Sequence, residues 1–479
     1  MVPEYIRKID RPRNTIVQST NHENVYLVIQ RVGCRYDNGR RLPVNGHVIG
    51  HIIDGKYVPK EERQRTRLSQ RSAHILKYGN IAFAHQVGSD LLTSLAKVFD
   101  LKDAETIYVL SLIRTAFGDV KDYQVEDKYQ KSWARILCPN IALSKSSISR
   151  LLEEIGLSYD YVVAYMKQRL DDTVKSGARI LIDGMLKNNE SIVNRFSGFS
   201  YKGRIKGTKD ISIIAAIDAE KKEPLCIKVY PGNLPDQSNT EDFIREFTIK
   251  NGIEISDKGF PLERVAEQFK DRTVGFLHPI KRSSKTPDDL NMYDSMIPVK
   301  TETNTIMGSV AYDDKSKLYY YLFRDGNRAS KEEHDFIAKK DADKFNSKDY
   351  TLRRKKFGTV CFVSNMKMEL HNVYEYYALR WEIELVFKMY KGILSLNSTR
   401  VHNDWSVIGT EFINYLSTIM VCRMKNVIKE KGLFKTYTFK DIMDRLTDVV
   451  KVSTDENQKI WNLCSLSNKD KDLMAVLGV

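Results

Sequence analysis

Two aspartates close short apolar runs in the middle of the chain: Asp183 ends RILID (179–183) and Asp257 ends GIEISD (252–257). A carboxylate at a strand end is held by the sheet while the following loop leaves room for a substrate, so both are candidates for metal binding and catalysis. The alternative for either is a turn or helix cap, and Asp218 in the turn DAEKK (218–222) reads that way. A third carboxylate stands in YALRWEIELVFKMYK (377–391). At about 100° per residue, Tyr377, Arg380, Glu384, Lys388 and Lys391 share an arc of roughly 80°, and Glu375 and Glu382 fall on the far side. Trp381, Ile383, Leu385, Val386, Phe387 and Met389 fill most of the remaining circumference, which predicts a largely buried helix with one polar stripe. Two accounts fit that stripe. It is an i,i+4 ion-pair ladder from Arg380 through Glu384 to Lys388, or it is a carboxylate among cations that holds a metal ion beside an anionic ester backbone.

The elements that must carry these residues follow from periodicity. Residues 1–70 predict a basic three-stranded β domain, since 24–58 alternate apolar and polar residues with DNGR (37–40) and DG (54–55) where hairpins turn. Residues 71–175 repeat apolar positions at three and four and predict a helical domain. Within it, ALSKSSISRLLEEIGL (142–157) is either the recognition helix of a helix-turn-helix, with Lys145 and Arg150 offered to DNA, or an ordinary amphipathic bundle helix with a good cap. From 176 the texture becomes β-branched, with strands RILID, ISIIAAID (211–218), EPLCIKVY (223–230), IEISD (253–257) and VGFLHPI (274–280). Helices are expected at TEDFIREFTIKNG (240–252) and near PLERVAEQFKD (261–271). That alternation predicts an α/β fold with a mixed sheet over 176–289 and 356–430. Residues 290–355 read as a β-rich insertion with a charged helix, EEHDFIAKKDADKF (332–345), and 431–479 as a C-terminal helical segment.

Bulk properties narrow the partner. The chain has 479 residues, 42% of them hydrophobic, and a net charge of +14. Residues 1–80 hold 15 Lys and Arg against 7 Asp and Glu, an excess that suits a polyanion. The six cysteines lie far apart with no C-x-x-C pair, which argues against zinc and for reduced thiols in the cytoplasm. No run approaches the roughly 18 apolar residues of a membrane helix, so secretion and membrane insertion are not expected.

Tyr377, Arg380, Glu384 and Lys391 stand as Y-x2-R-x3-E-x6-K, which resembles the YREK signature of bacterial insertion-sequence transposases of the DDE type. SDKGF around Asp257 resembles the family's second aspartate, LIDG around Asp183 its first, and VYPGNLPD (229–236) the PGN-x-x-D segment between them. The resemblance runs in order over about residues 70–430. Gly184 and Met185 depart from it, because Thr or Ser often follows the first Asp in the family. It implies a ribonuclease-H-like catalytic domain with a mostly β insertion, in keeping with spacings of 74 residues from Asp183 to Asp257 and 127 from Asp257 to Glu384. It further implies that Asp183, Asp257 and Glu384 are catalytic and hold two Mg²⁺ ions, with Mn²⁺ able to substitute. Tyr377, Arg380 and Lys391 would then hold the DNA strand end. Lys281 and Arg282, just after a core strand, are further candidates for phosphate contacts. The implied activity is cleavage at the terminal inverted repeats of a mobile element and joining of its 3′ ends to target DNA, by a homodimer on paired ends in the bacterial nucleoid. A nuclease of the same fold, or a transposase-derived DNA-binding protein without catalysis, are the alternatives.

Overall fold

The computed structural model describes residues 2–22, 24–37, 40–60, 74–175, 180–191, 193–234, 236–249, 252–255, 274–301, 305–339, 346–392, 398–455, 457–464 and 467–479. Contacts divide the chain into two units, Met1–His74 with Val452–Asn462, and Ile75–Lys451 with Leu463–Val479.

In the first unit, alternation and turn chemistry build an antiparallel sheet of β1 (Thr15–Ser19), β2 (Val25–Asp37), β3 (Arg40–Ile53) and β4 (Lys56–Pro59) in that order. It has four strands where the sequence predicts three. TIVQS, at five residues, is too short for its alternation to stand out, yet it pairs along Tyr26–Gln30. Asp54 and Gly55 link β3 to β4 with φ of 47° and 79°, the left-handed conformation a two-residue hairpin requires. Ile6, Val28 and Ile52 form its core.

The second unit takes up β5 (His74–Lys77) from its second residue, and helices Gly79–Leu95, Leu101–Phe117, Asp122–Gln130, Ala134–Leu137, Lys145–Leu157 and Tyr159–Lys175 follow. The sheet strands follow: β6 (Ile180–Asn189), β7 (Asp210–Asp218), β8 (Glu223–Pro231), β9 (Gly252–Ile255), β10 (Gly275–Ile280), β11 (Ile297–Lys300), β12 (Thr305–Asp313), β13 (Leu318–Arg324), β14 (Thr359–Ser364) and β15 (Ser398–Thr399). Their order is β11-β12-β13-β14-β10-β9-β6-β7-β8, with β15 beside the end of β6. β6, β7 and β8 form an antiparallel meander, whereas β9 runs parallel to β6 and β10 parallel to β9. The turn DAEKK joins β7 to β8, and Asp218 caps it by accepting from the amides of Glu220 and Lys221.

Three expectations change. The strands of 290–355 do not stand apart, because β13 pairs with β14 and extends the main sheet. The charged helix there begins earlier than its sequence suggests, at Gly326–Ala338, because Asp325 caps it through the amides of Asn327 and Arg328. The C-terminal segment holds strands Val450–Ser453 and Asn462–Cys464 besides its two helices.

The helical region and the sheet share one hydrophobic core rather than two. The reason is a spine helix, Asp404–Glu430, buried on nearly all faces from Val407 to Ile428 and therefore available to both. Its glycine Gly409 meets Lys145–Leu157 where a Cβ would lie 2.0 Å from the Leu152 carbonyl, and a Cβ on Gly156 would lie 2.0 Å from that of Trp405. Only glycines allow so close a crossing. No helix among the described residues is long and apolar enough to cross a membrane.

Candidate active site

Asp183 is not at a strand tip. It is the fourth residue of ten in β6, paired with Ala215 across the sheet, and it accepts a hydrogen bond at 2.8 Å from the Gly184 amide. The strand outruns its apolar stretch because the polar GMLKNN segment keeps pairing with β7, Lys187 opposite Ile211 and Asn188 opposite Asp210. Side chains alternate along a strand, so Asp183, Met185 and Lys187 share one face.

That face is covered by the stripe helix, Leu370–Gly392. The Lys187 ammonium lies 5.4 Å from the centroid of the Tyr390 ring, and Met185 lines a small apolar cavity with Val386, Phe387 and Tyr390. Strand and helix therefore run in the same direction. Stepping back by two residues from Met185 is ~7 Å along β6 and from Val386 to Glu384 is ~3 Å along the helix, which carries Asp183 and Glu384 toward the same end. β9 approaches the same place: Ile182 pairs with Glu254, so the end of β9 lies alongside Asp183. Asp257 itself, and the expected helix PLERVAEQFKD, lie outside the described residues.

The described side chains of the stripe helix divide between core and surface. Val373, Tyr376, Val386 and Tyr390 are buried, but Glu384 and Lys388 are exposed and Leu385 is 41% exposed. Lys391 is half-buried, and the Arg380 side chain lies outside the described residues. Tyr377, also half-buried, packs its ring 4.4 Å from that of Phe362 and opens onto a cleft of about 50 Å³ shared with Lys281, Arg282 and Arg328. This brings three of the residues singled out for DNA together. Arg282 is already engaged, however. It forks onto Glu332 at 2.8 and 3.1 Å and donates to the Thr359 carbonyl at 2.9 Å. Burial alone would raise the Glu332 carboxyl, but Arg282, the Gly358 amide and Arg328 together hold it at about 2. Lys145 and Arg150 are exposed, while Ile148, Leu151, Leu152 and Ile155 on their helix are buried.

The PGN segment has a packing role. Gly232 lies where a Cβ would be 2.2 Å from the Asp210 carbonyl, and Asn233 packs against Gly198. The thiols of Cys138, Cys226, Cys361 and Cys422 are buried. Burial pushes Cys138 up to about 11 and the other three further up, so none of these four is a thiolate nucleophile.

Sequence reading missed the polar network beneath the stripe helix. Lys187 and Glu411 are buried and paired at 2.7 Å, and Tyr390 donates to the other Glu411 oxygen. The available signal was Lys187 itself, a charge at the i+4 position from Asp183 on a face otherwise covered.

The candidate ligands are all carboxylates, a donor set that suits a hard divalent cation rather than zinc or copper. Among the described residues no group of three His, Cys, Asp or Glu side chains could hold a metal ion. Residues 179–410, just under half of the chain, match the transposase DDE domain. Such domains use divalent metal ions, and the match supports an enzyme that cleaves and transfers DNA strands. The cryo-EM structure of the piggyBac transposase synaptic complex with hairpin DNA is similar at 10% identity and a TM-score of 0.39, over 84% of this chain and 85% of that one. No curated protein sequence matches.

Proposed function

We propose that the chain is an insertion-sequence transposase of the YREK type, with a ribonuclease-H-like core, that cuts at terminal inverted repeats and joins 3′ ends to target DNA. One observation carries this: within the matched domain, Asp183 and Glu384 are brought toward the same end by two elements that pack on each other. The meander of β6 to β8 continued by parallel β9 and β10 supports the ribonuclease-H-like reading.

Asp183, Asp257 and Glu384 would hold the divalent ions, Mg²⁺ with Mn²⁺ able to substitute. When bound there, such ions would supply Lewis acidity, toward an attacking water or 3′-hydroxyl and toward the leaving oxygen. The rest of the chemistry is positioning by the chain. The sheet would hold Asp183 and the stripe helix Glu384. Arg380 offers a planar fork for a phosphate, Lys391 a point charge, and Tyr377 a ring and one hydrogen bond at the rim of the cleft containing Lys281. Because Glu332 occupies Arg282, the phosphate contact at that corner falls to Lys281. Cutting and joining require two ends at once, so the active form is a homodimer on paired ends of duplex DNA.

The test supplies a precut 3′-hydroxyl end, a target duplex and Mg²⁺ to the full-length protein. Joined product supports the transposase, and hydrolysis without joining favours a nuclease of the same fold. Unchanged strand cleavage in Asp183→Ala would remove the carboxylate assignment.

A further inference from the structure

We infer that Glu411 is a positioning residue which sets the separation of Asp183 and Glu384, by holding β6 with one carboxylate oxygen and the stripe helix with the other. The inference rests on the reading of Asp183 and Glu384 as metal ligands.

Glu411, on the spine helix, is 0% exposed. Its Oε1 accepts from Lys187 Nζ of β6 at 2.7 Å, and Lys187 is 1% exposed. Its Oε2 accepts from the Tyr390 hydroxyl of the stripe helix and from Asn414 Nδ2 at 3.2 Å. Asn414 Oδ1 accepts in turn from Arg114 Nη1 at 3.3 Å, and Arg114 Nη2 bonds Asp122 at 2.8 Å. Glu411 is thus braced from the helical region while both of its oxygens are committed to the two elements that carry the candidate ligands.

Stability does not explain this arrangement. Desolvation offsets most of the attraction in a buried ion pair, and apolar residues of similar volume often serve as well. Direction does explain it. A small apolar cavity between strand and helix is lined by Met185, Val386 and Phe387, and apolar contact of that kind is non-directional, so it resists sliding poorly. Hydrogen bonds to two oxygens of one rigid carboxylate resist it well. Lys187 lies ~13 Å along β6 from Asp183, and Tyr390 ~9 Å along the helix from Glu384. Both are within the rigid reach of their own element. A metal site tolerates ligand misplacement of only about 0.5 Å, so register between strand and helix is the variable that needs fixing.

Glu411→Ala would leave Lys187 buried without its counter-ion and threaten folding, so the lighter Tyr390→Phe is the variant of choice. It deletes the hydroxyl and keeps the ring over Lys187. Tyr415→Phe is the control: it deletes a different buried hydroxyl, on the spine helix itself, which donates to the Leu225 carbonyl at 2.6 Å and accepts from Arg169 at 3.0 Å. Mn²⁺ binding to the full-length protein without DNA is measured by electron paramagnetic resonance, alongside thermal unfolding. Tyr390→Phe is expected to weaken Mn²⁺ binding about tenfold, the lower end of what loss of a residue supporting a ligand costs. Tyr415→Phe is expected to lower stability similarly with Mn²⁺ binding as in the wild type. If Asp183→Ala and Glu384→Ala leave Mn²⁺ binding unchanged, the ligand reading fails. If they abolish it while Tyr390→Phe binds as the wild type, or Tyr415→Phe weakens binding equally, the positioning role of Glu411 alone is overturned.

Discussion

The crossing of the Lys145–Leu157 helix over the spine helix decides how much of the helical region is structural, and its cost can be worked from the structure. A Cβ at position 156 or 409 would lie 2.0 Å from a carbonyl oxygen of the facing helix, where contacts below 3.0 Å essentially never occur. Either alanine must therefore part the two backbones by about 1 Å or more. Overpacking of this kind costs ~1–3 kcal/mol, and an obstacle made of backbone carbonyl puts it at the upper end. Alanine returns ~1 kcal/mol of helix propensity over glycine, leaving a net loss of about 2 kcal/mol for Gly156→Ala or Gly409→Ala. The two clashes sit at one crossing, so parting the helices for the first relieves the second. The double variant is then expected to lose clearly less than the sum of the single losses. Urea unfolding reads this directly, as lower midpoints at unchanged slope. Wild-type or higher stability in either single variant, or full additivity in the double, would show that the two backbones do not obstruct each other at this crossing.

Glu332 gives a pH prediction with a definite sign. Its folded carboxyl is held at about 2, below the ordinary 4.5, so its stabilisation is present above about pH 4.5 and lost as pH falls toward 2. Glu332→Gln is expected to flatten that part of the acid limb, and parallel stability curves for variant and wild type would contradict it. Lys281→Ala is expected to weaken DNA binding and reduce the salt slope by ~1, whereas Arg282→Ala mainly lowers stability, since its hydrogen bonds go to Glu332 and Thr359; filter binding across a salt series with a parallel melt separates the two. Iodoacetamide is expected to label Cys34 and Cys464 in the native protein and all six cysteines after unfolding, as counted by mass spectrometry; native labelling of Cys226 or Cys422 would show that the core is looser than described.

Much of the local structure was legible in the residues. Asp54-Gly55 announced a hairpin, DAEKK a turn with Asp218 as its cap, and ALSKSSISRLLEEIGL a capped helix, whose cap proves to be Ser144; each depends on a few neighbouring residues and backbone angles that side-chain type restricts directly. The common arc of Tyr377, Glu384 and Lys391 followed from helical periodicity alone. Edge strands and strand ends were less legible: β1 was too short to show a period, and β6 ran on through GMLKNN, whose residues do not by themselves favour a strand.

What the amino-acid sequence determined by itself is therefore the set of chemical groups and their local spacing: three carboxylates, a polar stripe and a basic excess. Which of those groups remain available, and how firmly they are held, depends on the folded core. Arg282 is taken by Glu332, 50 residues away. Lys187 is buried because Glu411, 224 residues away, neutralises it and ties β6 to the stripe helix through Tyr390. The helical region is inseparable from the sheet because the spine helix is packed by both. Periodicity reports only on neighbours a few residues apart, whereas burying a charge depends on whether its partner arrives from elsewhere in the chain. That pairing is a property of the closed core.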